Sequence, residues 1–281
     1  MSGRAWWLLP LALVVVAVAA RQSGTTATSS GDLTARIRGV VPQRDGPLRR
    51  CDVRKPGTVV LLVLGQSNAG NHGGRAKNGP SAANPTVTVF NGSGCASLQD
   101  PLPGATGQGQ SIWSHLERAF AQRGRARDVV LAVVAVEGTS MEEWTADASP
   151  LKAHLQNRLA AFKQAGLVPD LVLWQQGEAD ARAGTQAAAY VSRFEALRAQ
   201  LRDSGVRAPI VMAQSTMCNN GGSADVRQAI AQLSARHADL RVGPDTDTLR
   251  GPMRDDGCHF SEAGLQAAAR LWAVAIEGAL P

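Results

Sequence analysis

The sequence predicts an α/β protein with a mostly parallel sheet between helical layers, and two observations carry this prediction. Apolar, strand-like runs alternate with helical patterns along the chain. This alternation is typical of parallel sheets, whose strands are joined by crossover helices. The first run, residues 59–64, is continuously apolar and rich in β-branched residues, as expected for a strand buried on both faces.

Five strands are predicted from short apolar runs bounded by glycine, proline or polar residues. They lie at residues 59–64, 86–90, 129–136, 170–174 and 209–212. A loop rich in glycine and asparagine, which extends to Pro85, separates the first two. Each later strand is followed by a helical pattern, so these strands are expected to run parallel to one another.

Five helices are predicted from apolar residues that repeat at helical spacing. They cover residues 111–123, 151–165, 185–202 and 225–237, and a closing helix follows Ser261. Gly166 ends the second helix, with Pro169 beyond it. Ser261 is the expected N-cap of the closing helix. One apolar stripe of that helix is formed by Leu265, Ala269, Trp272 and Ile276.

Residues 1–20 have the pattern of a signal peptide. Arg4 gives a positive start, residues 6–20 form an apolar stretch, and Ala17-Val18-Ala19 offers a small-residue cleavage site. A membrane span needs about 20 apolar residues, so cleavage is expected rather than anchoring, with an uncleaved anchor as the alternative. The sequence therefore predicts an exported protein, periplasmic or extracellular, without a stable membrane span after cleavage.

The rest of the chain divides into two parts. Residues 21–56 are rich in Ser, Thr, Gly and Arg and lack a useful apolar period, which predicts a flexible linker. Residues 57–281 are sufficient for one α/β domain with a full core. The formal net charge is +6, carried mostly by dispersed arginines. No basic run is interleaved with aromatic residues, so nucleic-acid binding is not expected.

Four cysteines follow the signal peptide: Cys51, Cys95, Cys218 and Cys258. In an exported protein an even number predicts two disulfides, and four cysteines allow three pairings. We favour Cys51–Cys95 and Cys218–Cys258, because each pair would join loops expected at the same end of the sheet. A zinc site is not expected, because the chain has no C-x-x-C spacing.

Two motifs that lie far apart in the sequence carry the predicted chemistry. Gly-Gln-Ser-Asn at residues 65–68 ends the first strand, and Asp-Gly-Cys-His at residues 256–259 precedes the closing helix. Open α/β sheets bind ligands at the carboxyl ends of their strands. Histidine is the usual base for a serine hydroxyl, and an aspartate can hold its ring. We interpret Ser67, His259 and Asp256 as nucleophile, general base and orienting acid of a hydrolase triad.

Each of these assignments has an alternative. Ser67 can be an ordinary turn serine. Asp256 can bind a nearby backbone N–H while Asp255 or Glu178 orients the histidine. His72 is a rival base close to Ser67, but it has no partner acid at helpful spacing, so pocket lining or a solvated loop is the preferred interpretation.

Two further motifs follow predicted strands, at residues 137–140 and 175–178. All four motifs would meet at one edge of the sheet, as an active site requires. Acyl transfer also needs hydrogen-bond donors for the oxyanion of the tetrahedral intermediate. The predicted donors are the backbone N–H groups of Ser67 and Gly138 and the side-chain amide of Gln176. Glycine suits the second position, because it lets the backbone approach closely.

These motifs resemble the boxes of SGNH/GDSL-type hydrolases. They are Gly-Gln-Ser-Asn at 65–68, Gly-Thr-Ser-x-x-x-Trp at 138–144, Trp-x-Gln-Gly-Glu at 174–178 and Asp-x-x-His-Phe-Ser at 256–261. More narrowly, they resemble the sialate O-acetylesterase-like branch, which includes acetylxylan esterases of carbohydrate esterase family six. The resemblance extends from about residue 58 to about residue 275. It implies a three-layer α/β/α flavodoxin-like fold, no metal or other cofactor, and removal of O-acetyl groups from sugars.

Carried over box by box, the resemblance implies Ser67, His259 and Asp256 as the triad, with Gly138 and Gln176 as oxyanion donors. Two positions depart from the family pattern. Glu137 stands where glycine is more frequent, which can alter the pocket wall beside Gly138. Ala179 stands where the wider SGNH enzymes carry an asparagine, so the role of Gln176 rests on the narrower branch.

Five residues in or near these boxes are candidate substrate contacts: Gln66, Asn68, His72, Trp144 and Glu178. Trp144 can stack on a sugar at the mouth of the site or pack within its own loop. Glu178 and Asp180 can bind substrate hydroxyls, or they can hold neighbouring loops by hydrogen bonds.

The sequence thus predicts an exported serine esterase that removes O-acetyl groups from a carbohydrate through an acetyl-enzyme intermediate. The expected partner is an acetylated carbohydrate. One alternative is a carbohydrate-binding protein that keeps the fold without turnover. Another is an O-acetyltransferase that uses the same triad and passes the acetyl group to a sugar hydroxyl. Acetate release, with and without an added acceptor sugar, separates the three.

Overall fold

The computed structural model describes residues 28–43, 48–51, 53, 55–74, 86–219 and 221–280. The signal peptide predicted for residues 1–20 lies outside these ranges. No helix within them combines the length and the apolar character that crossing a membrane would demand.

A seven-stranded sheet forms the centre of the fold. Its strands are β1 (Val59–Gly65), β2 (Val87–Phe90), β3 (Cys95–Ser97), β4 (Val129–Ala135), β5 (Leu171–Gln175), β6 (Ile210–Gln214) and β7 (Leu240–Asp245). They are arranged in the order β3-β2-β4-β1-β5-β6-β7. All neighbouring pairs are parallel except β2 and β3, which are antiparallel. The central strand is therefore β1, which ends at Gly65, two residues before Ser67.

Helices cover both faces of this sheet. They are α1 (Thr28–Arg38), α2 (Leu116–Gln122), α3 (Met141–Thr145), α4 (Pro150–Gln164), α5 (Glu178–Ala183), α6 (Ala187–Asp203), α7 (Ala224–Arg236) and α8 (Glu262–Ala279). Side chains of α1, α3, α4, α6 and α7 share one apolar core, and those of α2 and α8 share the other. The structure thus has the predicted three-layer α/β/α architecture.

The central strand shows why the sheet separates two cores. Successive side chains of a strand point to opposite faces, and those of β1 alternate between the two cores. Val60, Leu62 and Leu64 belong to the core on the α4 side. Val59, Leu61 and Val63 belong to the core on the α8 side. The continuous apolar run in the sequence is therefore explained by burial on both faces.

All five predicted strands are present, and two strands were missed by the sequence pattern. β3 is only three residues long, and the edge strand β7 carries Gly243 and Pro244 with exposed positions between its buried ones. The helix predicted for residues 111–123 is a 3-10 turn, Ile112–His115, followed by α2. A further short helix, α5, precedes the predicted helix that corresponds to α6.

Helix α1 lies in the segment for which a flexible linker is predicted, and that prediction does not hold for residues 28–38. Leu33 is 3% exposed and joins the core on the α4 side. Arg36 forms ion pairs with Asp32 and with Glu143 of α3. One buried and one partly buried apolar side chain, together with ion pairs, thus replace the amphipathic stripe by which a packed helix is usually detected.

Both predicted disulfides are confirmed. Cys51 pairs with Cys95 and joins the segment before β1 to the edge strand β3. Cys218 pairs with Cys258 and joins the loop after β6 to the loop before α8. The second disulfide therefore lies next to His259 in the chain.

Candidate active site

The end of β1 turns sharply, and Gly65 makes this turn possible. Its φ is +153°, and a Cβ at this position would lie 2.1 Å from the carbonyl oxygen of Gln175 on β5. Only glycine allows such a close approach of two backbones. Ser67 then begins a 3-10 turn, Ser67–Ala69, at the carboxyl edge of the sheet. Ser67 is 4% exposed.

Asn68 holds this turn to two other loops. Its side-chain Nδ2 donates to Glu178 Oε1 at 2.7 Å and to the carbonyl oxygen of Cys258 at 3.2 Å. Glu178 Oε1 also accepts from the Ser215 hydroxyl at 2.7 Å. Burial raises the pKa of Glu178, and the hydrogen bonds from Asn68 and Ser215 act in the opposite direction. Both residues are buried, and these hydrogen bonds give them a role in holding the loops together.

His259 and Asp256 form a close pair. Nδ1 of the histidine lies 2.7 Å from Oδ2 of the aspartate. Asp256 Oδ1 accepts the backbone N–H groups of Cys258 and His259, at 2.9 and 2.7 Å. Partial burial raises the pKa of Asp256, but these hydrogen bonds outweigh that effect and lower it to about 2. Asp256 is therefore a carboxylate at neutral pH. Of the three candidate acids, Asp256 is the one seen to hold the imidazole ring of His259.

The structure brings the Ser67 loop and the His259 loop together. The Asn68–Cys258 hydrogen bond joins the residue after the serine to the residue before the histidine. A second link runs from the Gly74 N–H to the carbonyl oxygen of Phe260, at 3.0 Å. The two motifs, nearly 190 residues apart in the sequence, thus form one site.

His72 packs directly on His259. Their ring centroids are 5.3 Å apart with an interplanar angle of 26°. His72 Nε2 lies 3.1 Å from Thr106 Oγ1 and 3.3 Å from Glu137 Oε2. Burial, reinforced by the neighbouring His259, lowers the pKa of His72 to about 4, although Asp256 acts in the opposite direction. His72 is therefore a neutral ring in the wall of the site and not part of a solvated loop.

A pH dependence of stability follows from His72. In the unfolded chain the pKa of His72 returns to 6.5. As the pH falls, the unfolded state therefore binds a proton near pH 6.5, whereas the folded state binds it only near pH 4. We expect the free energy of unfolding to fall by about 3 kcal/mol from this residue as the pH drops from 6.5 to 4. Urea unfolding of wild type and His72→Phe at several pH values measures this contribution.

The phenylalanine variant keeps an aromatic ring against His259 but cannot titrate. Burial also lowers the pKa values of His115 and His154, yet both residues are present in wild type and variant. The difference between the two pH profiles therefore isolates His72. Equal slopes between pH 4 and 6.5 would show that His72 does not carry this effect.

The backbone N–H groups of Ser67 and Gly138 are candidate donors for an oxyanion. The Val136 N–H donates to the Gly65 carbonyl oxygen at 3.1 Å, which brings the loop after β4 next to the Ser67 turn. Gly138 in that loop has a φ of +64°, a conformation that favours glycine. Across the described ranges, no acceptor is hydrogen-bonded to the backbone N–H of Ser67 or of Gly138. An oxyanion site needs such unused donors.

Gln176 does not offer a third donor. Its Nε2 donates to the carbonyl oxygen of Thr139 at 3.0 Å and to Asp180 Oδ2 at 2.5 Å, so both amide hydrogens are engaged. Its Oε1 accepts from the Tyr190 hydroxyl at 3.1 Å, and the residue is fully buried. Asp180 also accepts the Met141 N–H and thus holds α3. The oxyanion role predicted for Gln176 is not supported by this geometry, which gives it a structural role.

Two candidate substrate contacts are also internal. Trp144 is completely buried; its Nε1–H donates to Thr139 Oγ1 at 3.0 Å and its ring meets Trp174 edge-on at 5.3 Å. The stacking role considered for Trp144 is therefore wrong, because no sugar can reach the ring. Gln66 is buried as well, and its Oε1 accepts the Ala179 N–H at 3.2 Å. Of the five candidate contacts, His72 is the one whose ring packs on His259.

Two residues without a sequence signal, Thr106 and Arg36, bind the backbone of Glu137 in the loop after β4. Thr106 Oγ1 accepts the Glu137 N–H at 2.8 Å and lies beside His72. Arg36 donates from Nη1 to the carbonyl oxygen of Glu137 at 2.9 Å. Neither residue lies in a recognisable motif. Thr106 belongs to a glycine-rich loop and Arg36 to the expected linker, so no local signal identifies them.

The family model described as carbohydrate esterase, sialic acid-specific acetylesterase matches residues 57–276. The chain belongs to this family. It is therefore a carboxylic ester hydrolase that acts on carbohydrates. The matched residues include both motifs and all seven strands of this esterase, but not α1. No curated protein shows significant similarity to the chain.

Solved structures share the fold of this esterase at low sequence identity. A protein from Arabidopsis thaliana is 20% identical with a TM-score of 0.62, and the alignment covers 80% of this chain and all of that one. A carbohydrate acetylesterase from Xanthomonas citri is 15% identical with a TM-score of 0.54, over 79% of this chain and 56% of that one. A family two carbohydrate esterase from Cellvibrio japonicus is 16% identical with a TM-score of 0.50, over 78% and 61%.

Proposed function

We propose that the chain is an exported serine esterase that removes acetyl groups from the hydroxyls of a carbohydrate. The observation that carries this proposal is the His259–Asp256 pair, on a loop joined by Asn68 to the serine turn. Because Asp256 holds Nδ1, Nε2 is the ring nitrogen left to accept the proton of Ser67. A buried-strand serine, an oriented base and unused N–H donors together are the parts of an acyl-transfer site.

In the proposed reaction, His259 Nε2 takes the proton of Ser67 Oγ, and the oxygen attacks the acetyl carbonyl carbon. The resulting oxyanion is bound by the N–H groups of Ser67 and Gly138. When the tetrahedral intermediate collapses, the ester C–O bond breaks and His259 returns the proton to the leaving sugar oxygen. His259 then takes a proton from a water molecule, whose oxygen attacks the acetyl-serine carbonyl carbon. When this second intermediate collapses, the bond between Ser67 Oγ and the acyl carbon breaks, His259 returns the proton to Ser67, and acetate is released.

The charges around the imidazole favour this cycle. Asp256, with a pKa of about 2, is ionised throughout and stabilises the imidazolium that forms when Ser67 loses its proton. His72, with a pKa of about 4, is neutral at the pH where esterases work and adds no repulsion to the imidazolium. The stacked ring also covers one face of His259, which limits its rotation.

Substrate and compartment are part of the proposal. The family description names an acetylesterase, and the Xanthomonas citri structure is described as a carbohydrate acetylesterase. We therefore infer an acetyl ester on a sugar as the substrate. Export is proposed from the signal peptide expected at residues 1–20. The two disulfides support it, because such bonds persist in oxidising compartments.

The proposal is tested by measuring acetate released from acetylated monosaccharides and acetylated xylo-oligosaccharides by purified protein. Acetate release without an acceptor sugar is the expected result. Binding of an acetylated oligosaccharide without acetate release would identify a carbohydrate-binding protein instead. Acetyl transfer to an added sugar, in preference to water, would identify a transferase.

The Cys218–Cys258 disulfide is expected to support activity as well as stability. The carbonyl oxygen of Cys258 accepts from Asn68, and its N–H donates to Asp256, so movement of this residue disturbs both catalytic loops. For the double variant Cys218→Ser/Cys258→Ser we expect the free energy of unfolding to fall by about 2–4 kcal/mol. We expect kcat to fall roughly 10-fold, since a displacement of about 1 Å can cost about 10²-fold.

The other disulfide provides the matched control. Cys51 and Cys95 close a stretch of similar length, with sequence separations of 44 and 40 residues for the two bonds, but touch neither catalytic loop. Cys51→Ser/Cys95→Ser should therefore lose comparable stability and retain kcat. Both variants are assayed at a temperature at which circular dichroism shows them folded. Equal kcat in the two variants would refute a special role for Cys218–Cys258.

A further inference from the structure

Arg36 reaches the active site from α1, outside the residues that match the esterase family. Its side chain is 15% exposed and makes contacts in three directions. Nη1 donates to the carbonyl oxygen of Glu137 at 2.9 Å, Nη2 pairs with Glu143 Oε1, and Nε lies 3.1 Å from Asp32 Oδ2. The guanidinium thus joins the N-terminal helix to the loop after β4.

The carbonyl group of Glu137 and the N–H of Gly138 belong to the same peptide group. A trans peptide is planar, so its C=O and N–H point in opposite directions. A hydrogen bond that fixes the Glu137 carbonyl therefore also fixes the direction of the Gly138 N–H. This N–H is one of the two unused donors beside Ser67. Arg36 thus controls the aim of an oxyanion donor without touching the substrate.

The preceding peptide group, between Val136 and Glu137, is fixed on both its N–H and its carbonyl. The Glu137 N–H donates to Thr106 Oγ1 at 2.8 Å, and the Thr139 hydroxyl donates to the carbonyl oxygen of Val136 at 2.8 Å. In the next peptide group, Glu137–Gly138, the carbonyl oxygen of Glu137 is bound by the side chain of Arg36. Gly138 itself has a φ of +64° and no Cβ to fix it, so without Arg36 this peptide group could rotate more freely.

Charge strengthens the arrangement. A guanidinium bonded to a carbonyl polarises the peptide group, which makes its N–H a better donor. Arg36 Nη1 also lies 3.6 Å from the point that a Cβ on Gly138 would occupy. Positive charge therefore stands on the far side of the N–H that would bind the oxyanion.

We propose that Arg36 is a positioning residue of the esterase, which holds the Glu137–Gly138 peptide so that the Gly138 N–H binds the oxyanion. The inference rests on the proposed serine esterase mechanism and extends it to a helix outside the family match. Helix α1 is then a working part of the active site. Glu143, which bridges Arg36 and the Ser140 N–H, keeps the guanidinium in place.

The test compares Arg36→Met with Arg38→Met. Methionine keeps an unbranched stem of similar length but cannot donate a hydrogen bond, and Arg38 is an exposed arginine on the same helix. For a short aryl acetate, we expect Arg36→Met to lower kcat about 10- to 100-fold with KM within about 2-fold of wild type. Arg38→Met should behave as wild type. Arg36→Lys should fall between the two, because an ammonium can bind the Glu137 carbonyl but lacks the rigid planar fork that holds the carbonyl and Glu143 together.

A boronic acid inhibitor separates donor alignment from a general structural effect. Boronates form a tetrahedral adduct with a serine, so their affinity depends on the oxyanion donors. The inhibition constant should rise in proportion to the loss of kcat/KM across the Arg36 variants. If Arg36→Met does not fold, the same comparison is made with Arg36→Lys. An unchanged boronate affinity, or a kcat equal to that of Arg38→Met, would overturn the inference.

Failure of the inference and failure of the proposed function give different results. Full turnover by Ser67→Ala would refute the serine mechanism itself. An inactive Ser67→Ala together with a fully active Arg36→Met would refute only the positioning role of Arg36.

Discussion

Replacement of Ser67 by alanine is expected to lower kcat/KM for ester hydrolysis by about 10³-fold or more. The hydroxyl oxygen is the proposed nucleophile, and the alanine side chain has no atom that can form the acetyl-enzyme in its place. The remaining activity would come from the oxyanion donors and from substrate binding, as with other enzymes that lose a triad member. The fold should be preserved, because Asn68, and not the serine side chain, holds the turn to its neighbours.

The measurement is acetate release from an aryl acetate and from an acetylated sugar by wild type, Ser67→Ala and the exposed control Ser93→Ala. Mass spectrometry of rapidly quenched wild type should show an acetyl group on Ser67 that the alanine variant lacks. Thermal unfolding establishes that each variant is folded. Turnover by a pure Ser67→Ala preparation within 10-fold of the Ser93→Ala control would exclude Ser67 as the nucleophile.

Replacement of Asp256 by asparagine is expected to lower kcat about 10³- to 10⁴-fold. The Asp256 carboxylate accepts a hydrogen bond from the Nδ1–H of His259, which leaves Nε2 without a proton and able to act as a base. An asparagine amide that donates to Nδ1 would select the other tautomer, in which Nε2 carries the proton and cannot accept one from Ser67. The charge that stabilises the imidazolium would be lost as well.

Asp255 supplies the matched control for this prediction. The two aspartates are adjacent, but the Asp255 contact with His259 is a backbone N–H donated to the carbonyl oxygen at 3.0 Å, which alanine retains. Asp255→Ala should therefore keep near-normal kcat. Glu178→Gln tests the other alternative, because this buried carboxyl contacts Asn68 and Ser215 and not the imidazole. Near-normal kcat in Asp256→Asn would show that Asp256 does not orient His259.

The sequence predicts the sheet well, because the physics of its central strands is local. A strand buried on both faces is apolar along most of its length, so β1, β4 and β5 are visible as continuous apolar runs. The edge strand β7 has no such requirement; it contains Gly243 and Pro244 and is half exposed. Helix α1 escapes detection for a related reason, since its contacts with the core among the described side chains are the buried Leu33 and the partly buried Ile37, which do not form a continuous apolar stripe.

The site divides in the same way between local and non-local information. Serine after a buried strand, and aspartate three residues before histidine, are patterns whose geometry follows from their spacing, and the structure joins their loops. The amide of Gln176 and the ring of Trp144 lie in equally clear motifs, but their partners, Asp180 and Thr139, are decided by tertiary packing. Which way a side chain points inside a loop is not encoded by its neighbours along the chain.

The direction of α8 has a practical consequence for work with the immobilised protein. This helix begins at Glu262, three residues after His259, and its 18 residues extend about 27 Å. At the end of α8, the carbonyl oxygen of Ala279 accepts a hydrogen bond from Arg241. Arg241 lies near the start of β7, and the starts of the parallel strands form the edge of the sheet opposite to Ser67. A tether attached after the C-terminal end of α8 would therefore hold the molecule with the carboxyl edge of its sheet, which carries Ser67, facing away from the support.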